Sequence, residues 1–547
     1  MLDCTAPMTP LVLFAAALVA RAAVAALYGE PAYPDSFYYV NLARELASGN
    51  GFQLDYIWNF VDVGGRLPAE PVLPIPSNGH WMPLAAIVQV PFIWLMGPTW
   101  LASALPFWLA GALAAPLAWR IARDARAERT VAITAGVLVA LPGAVLPFMA
   151  QPDNFGLFML LGALALWLAG RAWQGDGAAL IAGGVVVGLA TLARNDGVLL
   201  GIPFALIALR ETWRARPAGW PAMARAAALG AGCLIAFGLL VGPWLLRQLE
   251  VFGTIAPSAA SGRILWISEY RQLWSISDSP SLQSLLAQGL PELLGSRLTG
   301  LVAAVAIFVL WPLATVMAPF VVIGAWQRRR DRLFRPTFIY AAVLFAASGL
   351  LFAVHVPYGT FIHSAVALVP HALVLGAIGV AAVVGWIAER RAGWQPERAR
   401  RMFSAGAVAV TALVAAVQTS TATVAWQRDR DQRLAVTAPL AAVAAGERLM
   451  SADPGAYRYL VGRGGVVTPD DPLAVIEQTA RAYGIRWLAL ERNHIVPALA
   501  PVLTGDLRPA WLSEAVEVYR AAPATDGIPQ AALYAVCLAP ADVRCAP

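Results

Sequence analysis

Two carboxylates stand where they could act on a substrate at a membrane surface. Asp35 is the first acid after the apolar segment 10–28, and the residues behind it have the spacing of a short amphipathic helix lying along the membrane. Asp153 follows Pro152 and directly precedes another apolar segment. Such a pair of acids could deprotonate an acceptor or hold a divalent cation. The structural alternatives are a solvated loop acid for Asp35 and a helix N-cap for Asp153.

Arginines also interrupt or end the apolar segments. Arg194 and Asp196 separate two of them, and Arg247 ends the segment 225–247. An arginine at the outer membrane face opposes the usual cytoplasmic excess of positive charge, so it needs a partner. The partner could be a carboxylate such as Asp196, or a phosphate, which a guanidinium binds through two hydrogen bonds. Arg21, inside the first apolar segment, also needs a partner.

Histidines and aromatic residues accompany these charges. His80 precedes Trp81, while His355 and His363 flank Tyr358. Histidine is a common metal ligand, but this spacing is not diagnostic of a metal site. Tryptophans such as Trp81 are typical of the membrane interface and could also line a groove for a sugar or a lipid.

The composition indicates a membrane protein. Of the 547 residues, 59% are hydrophobic and 13% are charged, and the mean hydropathy is +0.63. A soluble globular protein has about 25% charged residues. The chain has no lysine, and its arginines lie in short loops between apolar segments, which indicates membrane topology and not nucleic-acid binding. The four cysteines have no metal-binding spacing; they are Cys4, Cys233, Cys537 and Cys545.

About eleven apolar segments are predicted to cross the bilayer, which takes roughly 17–25 residues of helix. They lie near residues 10–28, 99–121, 130–150, 154–171, 177–194, 197–211, 225–247, 299–325, 336–356, 361–388 and 402–425. A further apolar stretch, 83–97, is short and contains Gln89 and Pro91, so we place it in the interface or in a re-entrant loop.

The arginines predict the orientation. If 83–97 does not cross, four arginine clusters fall on the cytoplasmic side together with the N-terminus. The clusters lie at 120–129, 210–225, 328–335 and 390–401. High arginine without lysine is typical of a GC-rich bacterial genome. We therefore predict a multi-pass protein of the bacterial cytoplasmic membrane, with the first helix retained and the candidate acids and histidines outside; a cleaved signal is the alternative for that helix.

The C-terminal segment, residues 428–547, differs from the apolar remainder of the chain. We predict a membrane domain over 1–427, with outer loops at 29–98 and 248–298, and a small extracytoplasmic α/β domain over 428–547. Strands are expected at 464–468, 485–490 and 532–537, and a helix at 472–483. Cys537 and Cys545 could form a disulfide in that compartment, or remain two free thiols.

Five segments in this order resemble the polytopic GT-C glycosyltransferases. The closest likeness is to the bacterial branch related to dolichyl-phosphate-mannose–protein mannosyltransferases and to the aminoarabinose transferase of lipid A. The segments are 34–52, 80–84, 152–153, 188–197 and 243–257. Three positions depart from the family pattern: Ser36 replaces a second acid, His80 stands at the basic position, and Tyr358 to His363 replaces an Arg-Tyr pair.

The resemblance implies an α-helical GT-C fold and a sugar donor carried on a polyprenyl phosphate. The acceptor would be a lipid, a glycan or a protein, and no cofactor is certain, although a divalent cation bound by Asp35 and Asp153 would be compatible. Asp35 would be the general base or the cation ligand, with Asp153 in support. The implied donor-binding residues are His80, Arg194, Asp196, Arg247, Tyr358 and His363.

Two other functions fit a polytopic membrane protein. A transporter or flippase of lipid-linked sugars would have repeated halves and polar groups near the bilayer midplane, and neither is evident. A non-catalytic scaffold that presents the tail domain to partners would tolerate substitution of the outer acids.

Overall fold

The computed structural model describes residues 8–259, 261–391, 393–444, 446–520 and 527–538. The chain forms two compact units. The membrane unit comprises Met1–Gly29, Met82–Pro257 and Leu294–Ala422, and the sheet unit comprises Glu30–Trp81, Ser258–Leu293 and Thr423–Pro547. The predicted boundary near 427 therefore lies close to a boundary of the structure. The two outer loops differ from the prediction, because most of each loop belongs to the sheet unit.

Apolar helices build the membrane unit. They are Met8–Ala25, Leu84–Ile87, Val90–Met96, Trp100–Asp124, Arg129–Ala140, Asn154–Trp173, Gly177–Ala193, Gly201–Arg214, Trp220–Phe252, Ala318–Arg328, Arg335–Ala346, Thr360–Ala365 and Val369–Ala388. Two more helices, Leu290–Leu310 and Pro396–Thr437, have most of their residues in this unit. The predicted polytopic α-helical fold is thus confirmed.

Fewer helices than predicted have the full length of a span. In the described part of the chain, 7 helices are long and apolar enough to cross a membrane, or up to 8 if the bent pair Arg129–Ala140 and Gly143–Ala150 counts as one span. The other predicted spans contain shorter helices. Gly177–Ala193, for example, has 17 residues, and Gly201–Arg214 has 14 residues.

Two glycines bring neighbouring helices of this unit into close contact. A Cβ atom at Gly324 would overlap the carbonyl oxygen of Leu375, and one at Gly379 would overlap the carbonyl oxygen of Phe320. Each helix therefore offers the glycine that the backbone of the other helix approaches. Small residues at helix interfaces allow this approach in membranes, where packing replaces the hydrophobic effect as the driving force.

We expect Gly379→Val to lower the thermal unfolding temperature of the purified protein in detergent. The added side chain forces the two helices apart, and overpacking of this kind costs about 1–3 kcal/mol. Gly385→Val is the matched control on the same helix, because nothing lies within 4 Å of its Cβ position. Equal unfolding temperatures for the two variants would contradict the close helix contact.

Among its described residues, the sheet unit contains eight strands. They are β1 (Gln53–Leu54), β2 (Tyr56–Ile57), β3 (Ile75–Pro76), β4 (Arg448–Ser451), β5 (Gly465–Val467), β6 (Ile485–Glu491), β7 (Leu512–Tyr519) and β8 (Ala531–Val536). Strands β1 and β3 form an antiparallel pair, and the others form one sheet in the order β2-β5-β4-β6-β8-β7. Helices of this unit are Pro34–Ala47, Ser261–Ile264, Leu282–Leu286, Pro454–Val461, Leu473–Ala482 and Ala500–Thr504.

The tail is α/β, as predicted, but its sheet includes a strand from the first outer loop. Strands β4, β5 and β6 are parallel and are connected through helices Pro454–Val461 and Leu473–Ala482, whereas β8 and β7 are antiparallel. Strand β2 pairs parallel with β5, with Tyr56 opposite Gly465. Asn41 supports this connection, because its Nδ2 donates to the carbonyl oxygen of Gly455 at 2.9 Å.

The second outer loop is also fixed to the sheet unit. The carboxylate of Asp471 accepts hydrogen bonds from the Ser275 hydroxyl at 2.6 Å and from the backbone N–H of Ile276 at 2.7 Å. The guanidinium of Arg263 donates to the carbonyl oxygens of Ser275 at 2.9 Å and Asp278 at 2.8 Å. Polar contacts thus order a loop that has little regular structure of its own.

The structure tests part of the predicted disulfide between Cys537 and Cys545. Cys537 is disulfide-bonded. Cys545, its predicted partner, and Cys4 lie outside the described residues. Cys233, in the membrane unit, is a free thiol.

Candidate active site

In the membrane unit, Asp153 is completely buried at the start of helix Asn154–Trp173. Its Oδ1 accepts a hydrogen bond from the backbone N–H of Asn154 at 2.5 Å, so the N-cap alternative describes its local role. This contact uses one carboxylate oxygen. The other, Oδ2, lies 3.8 Å from Nδ1 of His363.

His363 is positioned by an aromatic ring as well as by the acid. It lies in the short helix Thr360–Ala365, and its imidazole is 4.0 Å from the ring centroid of Phe155. Only 14% of its side chain is exposed. The structure therefore brings together two residues, Asp153 and His363, that are 210 positions apart in the sequence.

Arg194 and Asp196 form the adjoining part of the site. Nε of Arg194 donates to Oδ1 of Asp196 at 3.0 Å, which is the carboxylate partner that the sequence allowed. Nη2 of Arg194 donates to the hydroxyl of Ser364 at 3.2 Å, and that hydroxyl also donates to Asp196. Because Ser364 directly follows His363, these residues form one polar cluster with Asp153, which we call the helix-break cluster. Sequence analysis missed Ser364, although its place beside a candidate histidine was the available signal.

The remaining candidates of the membrane unit have different surroundings. The guanidinium carbon of Arg247 lies 4.8 Å from the ring centroid of Trp244 and 5.7 Å from that of Phe252, as in cation–π contacts. Tyr358 is 59% exposed. Arg21 is fully buried, and its Nη1 donates to the carbonyl oxygens of Ala17 and Ala140, whereas its Nε and Nη2 have no hydrogen-bond partner among the described residues.

In the sheet unit, Asp35 lies in the first turn of helix Pro34–Ala47 and is partly exposed. Its Oδ1 accepts a hydrogen bond from the indole Nε1 of Trp81 at 2.5 Å. The helix N-terminus adds a favourable field for the carboxylate. The helix is not amphipathic as predicted, because residues 36–43 are all buried.

Aromatic rings surround Asp35 within the sheet unit. Trp58 and Trp81 have ring centroids 4.0 Å apart, and His80 lies 5.4 Å from Trp58. Tyr38 packs 4.1 Å from Trp81, and its hydroxyl accepts the backbone N–H of Asn78 at 2.7 Å. The loop that carries His80 is thus held in one conformation beside Asp35. Aromatic faces next to a carboxylate are a common arrangement for binding sugar rings.

Asp62 is a buried acid that sequence analysis missed. It is 6% exposed, accepts a hydrogen bond from the backbone N–H of His80, and faces Gly79 so closely that a Cβ atom there would meet it. Burial raises its pKa from 3.8 to about 7. Asp62 therefore supports the loop that carries His80 through its contacts with Gly79 and with the backbone of His80. No motif marked it, because its role depends on tertiary contacts.

A preformed metal site is not evident in the described residues, where no group of three or more histidine, cysteine, aspartate or glutamate side chains could hold an ion. Asp35 belongs to the sheet unit and Asp153 to the membrane unit. Shared binding of a divalent cation by these two acids, and their placement across one cavity, therefore stay predictions.

Known proteins resemble this chain in part of the sequence and in the fold. The family model of dolichyl-phosphate-mannose–protein mannosyltransferase matches residues 80–240. Among curated protein sequences, none matches significantly. ArnT from Cupriavidus metallidurans in the apo state is 15% identical, with 97% of this chain and 98% of that chain covered and a TM-score of 0.54.

Two further solved structures are similar. ArnT from the same organism bound to undecaprenyl phosphate is 14% identical, with 100% of both chains covered and a TM-score of 0.54. The Archaeoglobus fulgidus oligosaccharyltransferase in complex with Zn and sulfate is 14% identical, with 87% of this chain and 68% of that chain covered and a TM-score of 0.52. The similarity to these solved structures confirms the predicted GT-C-like fold, and the family match is limited to residues 80–240.

We expect Asp62→Asn to change how stability depends on pH. The folded-state pKa of about 7 lies above the ordinary value of 3.8, so the folded protein holds a proton that the unfolded chain releases between these pH values. The wild type should therefore lose stability as pH rises through this window. The variant should be more stable than the wild type at pH 8, and the difference should shrink towards pH 4. Thermal unfolding measured across this pH range tests it.

The exposed acid Asp506 supplies the control. Asp506→Asn changes the same functional group without removing a buried carboxyl, so its pH profile should follow that of the wild type. Parallel profiles for Asp62→Asn and the wild type would overturn the assignment of a buried, protonated Asp62.

Proposed function

We propose that this protein is an integral membrane glycosyltransferase that moves a sugar from a polyprenyl-phosphate donor to a lipid, glycan or protein acceptor. The reaction would take place on the extracytoplasmic face of a bacterial cytoplasmic membrane, with the N-terminus in the cytoplasm. The observation that carries the proposal is the helix-break cluster, Asp153, Arg194, Asp196, His363 and Ser364. Its support is the GT-C-like fold and the likeness to an ArnT that binds undecaprenyl phosphate.

Charge within an apolar helical unit argues for a functional site. Ionisable residues in membrane segments are costly and usually mark a substrate pathway. Arg194 is tied to Asp196 through Nε and to Ser364 through Nη2, which fixes the plane of its guanidinium. A fixed guanidinium suits a phosphate, which it can bind through two parallel hydrogen bonds.

In the proposed reaction, a hydroxyl oxygen of the acceptor attacks the anomeric carbon of the sugar. The bond from that carbon to the phosphate oxygen breaks, and its electron pair leaves with the polyprenyl phosphate. Asp35 accepts the proton of the attacking hydroxyl, held in place by the indole N–H of Trp81. Arg194, Arg247 and His80 stabilise the negative charge that develops on the phosphate.

Supporting roles fall to the remaining candidates. Asp153 orients His363, and Asp196 orients Arg194 through direct contact. Tyr358 is exposed and would meet the donor or the acceptor at the entrance. A divalent cation would be compatible with Asp35 and Asp153, and no step of the reaction above depends on it.

We expect Asp35→Asn to reduce sugar transfer on the order of 10²-fold or more, because the general base is lost. The assay is release of polyprenyl phosphate by the purified protein in lipid nanodiscs, with a panel of polyprenyl-phosphate sugars. Asp55→Asn is the control, since Asp55 also lies in the sheet unit but pairs with Arg458. Unchanged release in Asp35→Asn would discard this role.

The release assay, together with donor binding and transbilayer movement of the donor, separates the alternative functions. A flippase would move the lipid-linked sugar across the bilayer without releasing polyprenyl phosphate. A scaffold would neither release the phosphate nor bind the donor. Donor binding without release, combined with transbilayer movement, would replace the transferase proposal by the flippase.

We expect Arg194→Gln to lower kcat/KM for the donor about 10–100-fold, the equivalent of one or two charge-assisted hydrogen bonds. Arg171→Gln is the matched control, because Arg171 forms an exposed ion pair with Asp176 at the far end of helix Asn154–Trp173. Donor binding should weaken in Arg194→Gln and stay unchanged in Arg171→Gln. Equal donor affinity in both would remove Arg194 from the phosphate site.

A further inference from the structure

A groove lies between two helices of the membrane unit, near their N-terminal ends. Its volume is about 340 Å³. Helices Arg129–Ala140 and Pro396–Thr437 form its two walls. This volume falls in the range of small-molecule sites, which is roughly 300–1,000 Å³. Neither the helix-break cluster nor any candidate residue of the proposed reaction lines it.

Each wall of the groove is one face of its helix. Thr130, Ile133, Thr134 and Val137 line the first wall. Arg401, Ser404, Ala405 and Val408 line the second. Both sets have the spacing i, i+3, i+4, i+7 of a single helical face. Seven residues of helix rise about 10 Å, so the groove is long and narrow along the helix axes.

The polar and apolar parts of the groove are separated along its length. Thr130 and Arg401 come first on their helices, and Val137 and Val408 come last. The ion pair between Arg400 and Glu128 joins the two helices at the same end, so the polar parts of both walls face each other. One end thus offers a cation and hydroxyl groups, and the other end offers hydrocarbon.

Two carboxylates at this end are paired with other groups, and a third, Glu397, stands one helical turn before Arg401, next to Arg398. Glu128 pairs with Arg400, and Asp124 pairs with Arg120 and accepts the indole N–H of Trp167. Over the described residues, no carboxylate lies within ion-pair distance of Arg401, whose side chain is exposed beside the groove. The groove therefore has a surplus positive charge at its polar end.

We propose that this groove binds an anionic phospholipid. The phosphate of the lipid contacts the guanidinium of Arg401 and the hydroxyls of Ser404 and Thr130. One acyl chain of the lipid lies along Val137 and Val408. The charge of Arg401 complements the phosphate, and the apolar walls complement the acyl chain. A basic pocket between membrane helices at the cytoplasmic side is a known arrangement for acidic lipid headgroups. The arginine clusters at this end predict that side.

The lipid would bind separately from the polyprenyl-phosphate donor. The proposal depends on neither the reaction nor the residues assigned to it. A soluble phosphate would use only the polar end of the groove, and the apolar walls would then have no role. A ligand that fills both the polar end and the apolar end of the groove needs an anionic group and a hydrocarbon chain, and an anionic lipid has both.

Native mass spectrometry of the delipidated protein in detergent tests the proposal. We would titrate phosphatidylglycerol and, separately, phosphatidylcholine of the same acyl chains, and compare the first bound lipid. The wild type should bind phosphatidylglycerol more tightly than phosphatidylcholine. Arg401→Gln should weaken phosphatidylglycerol binding about tenfold and leave phosphatidylcholine unchanged. Arg398→Gln is the matched control, because Arg398 is exposed on the same helix but does not line the groove.

A second variant tests the apolar end. Ala405→Trp fills the groove and keeps Arg401, so phosphatidylglycerol binding should also fall about tenfold. Equal binding of the two lipids by the wild type, or equal loss in Arg398→Gln and Arg401→Gln, would overturn the proposal. So would full competition by millimolar inorganic phosphate, because that result would assign the affinity to the anion alone. Size-exclusion chromatography of each variant establishes that it is folded.

Discussion

The membrane unit depends on one constraint: a polar group surrounded by hydrocarbon must find its partner within the protein. The helices satisfy their own backbone groups, but the chain leaves regular α-helix at Phe148–Ala150, Asn195–Leu200 and Ala353–Tyr358. Asp153 and Arg194 stand beside the first two of these breaks. The side chains that could act on a substrate are therefore found where the helices are interrupted. Asp153 accepts the backbone N–H of Asn154, and Arg194 donates to the side chains of Asp196 and Ser364.

The sheet unit also buries charged groups, and it pairs them with each other. Glu491, at the end of β6, is 1% exposed and accepts hydrogen bonds from Nε of Arg433 and from the hydroxyl of Tyr457. Burial alone would raise the pKa of Glu491, but the charge and hydrogen bond of Arg433, together with His494 and Tyr457, hold the pKa below its ordinary value. Because Arg433 lies in the last turns of helix Pro396–Thr437, the pair fixes the end of that helix to the sheet. Loss of one partner would leave an uncompensated buried charge.

Local patterns predicted much of this structure and missed what depends on distant contacts. The strands expected at 485–490 and 532–537 and the helix at 472–483 are present as β6, β8 and Leu473–Ala482. Arg194 and Asp196 were recognisable because charge interrupts an apolar run. Strand β2 has two residues, too few for a periodic signal. Asp62 and Ser364 have ordinary neighbours in the sequence, and only tertiary folding gives them a buried environment or a charged partner.

The pairing of β2 with β5 has a consequence for how the protein is made. Tyr56 leaves the ribosome about 400 residues before Gly465, its partner in the sheet, and most of the membrane helices are synthesised between them. The sheet is thus complete only after β8 has been synthesised, and the first outer loop lacks its partner strand until β5 has been made. Contacts of such sequence separation form slowly, and an unpaired strand edge is exposed to wrong partners in the meantime.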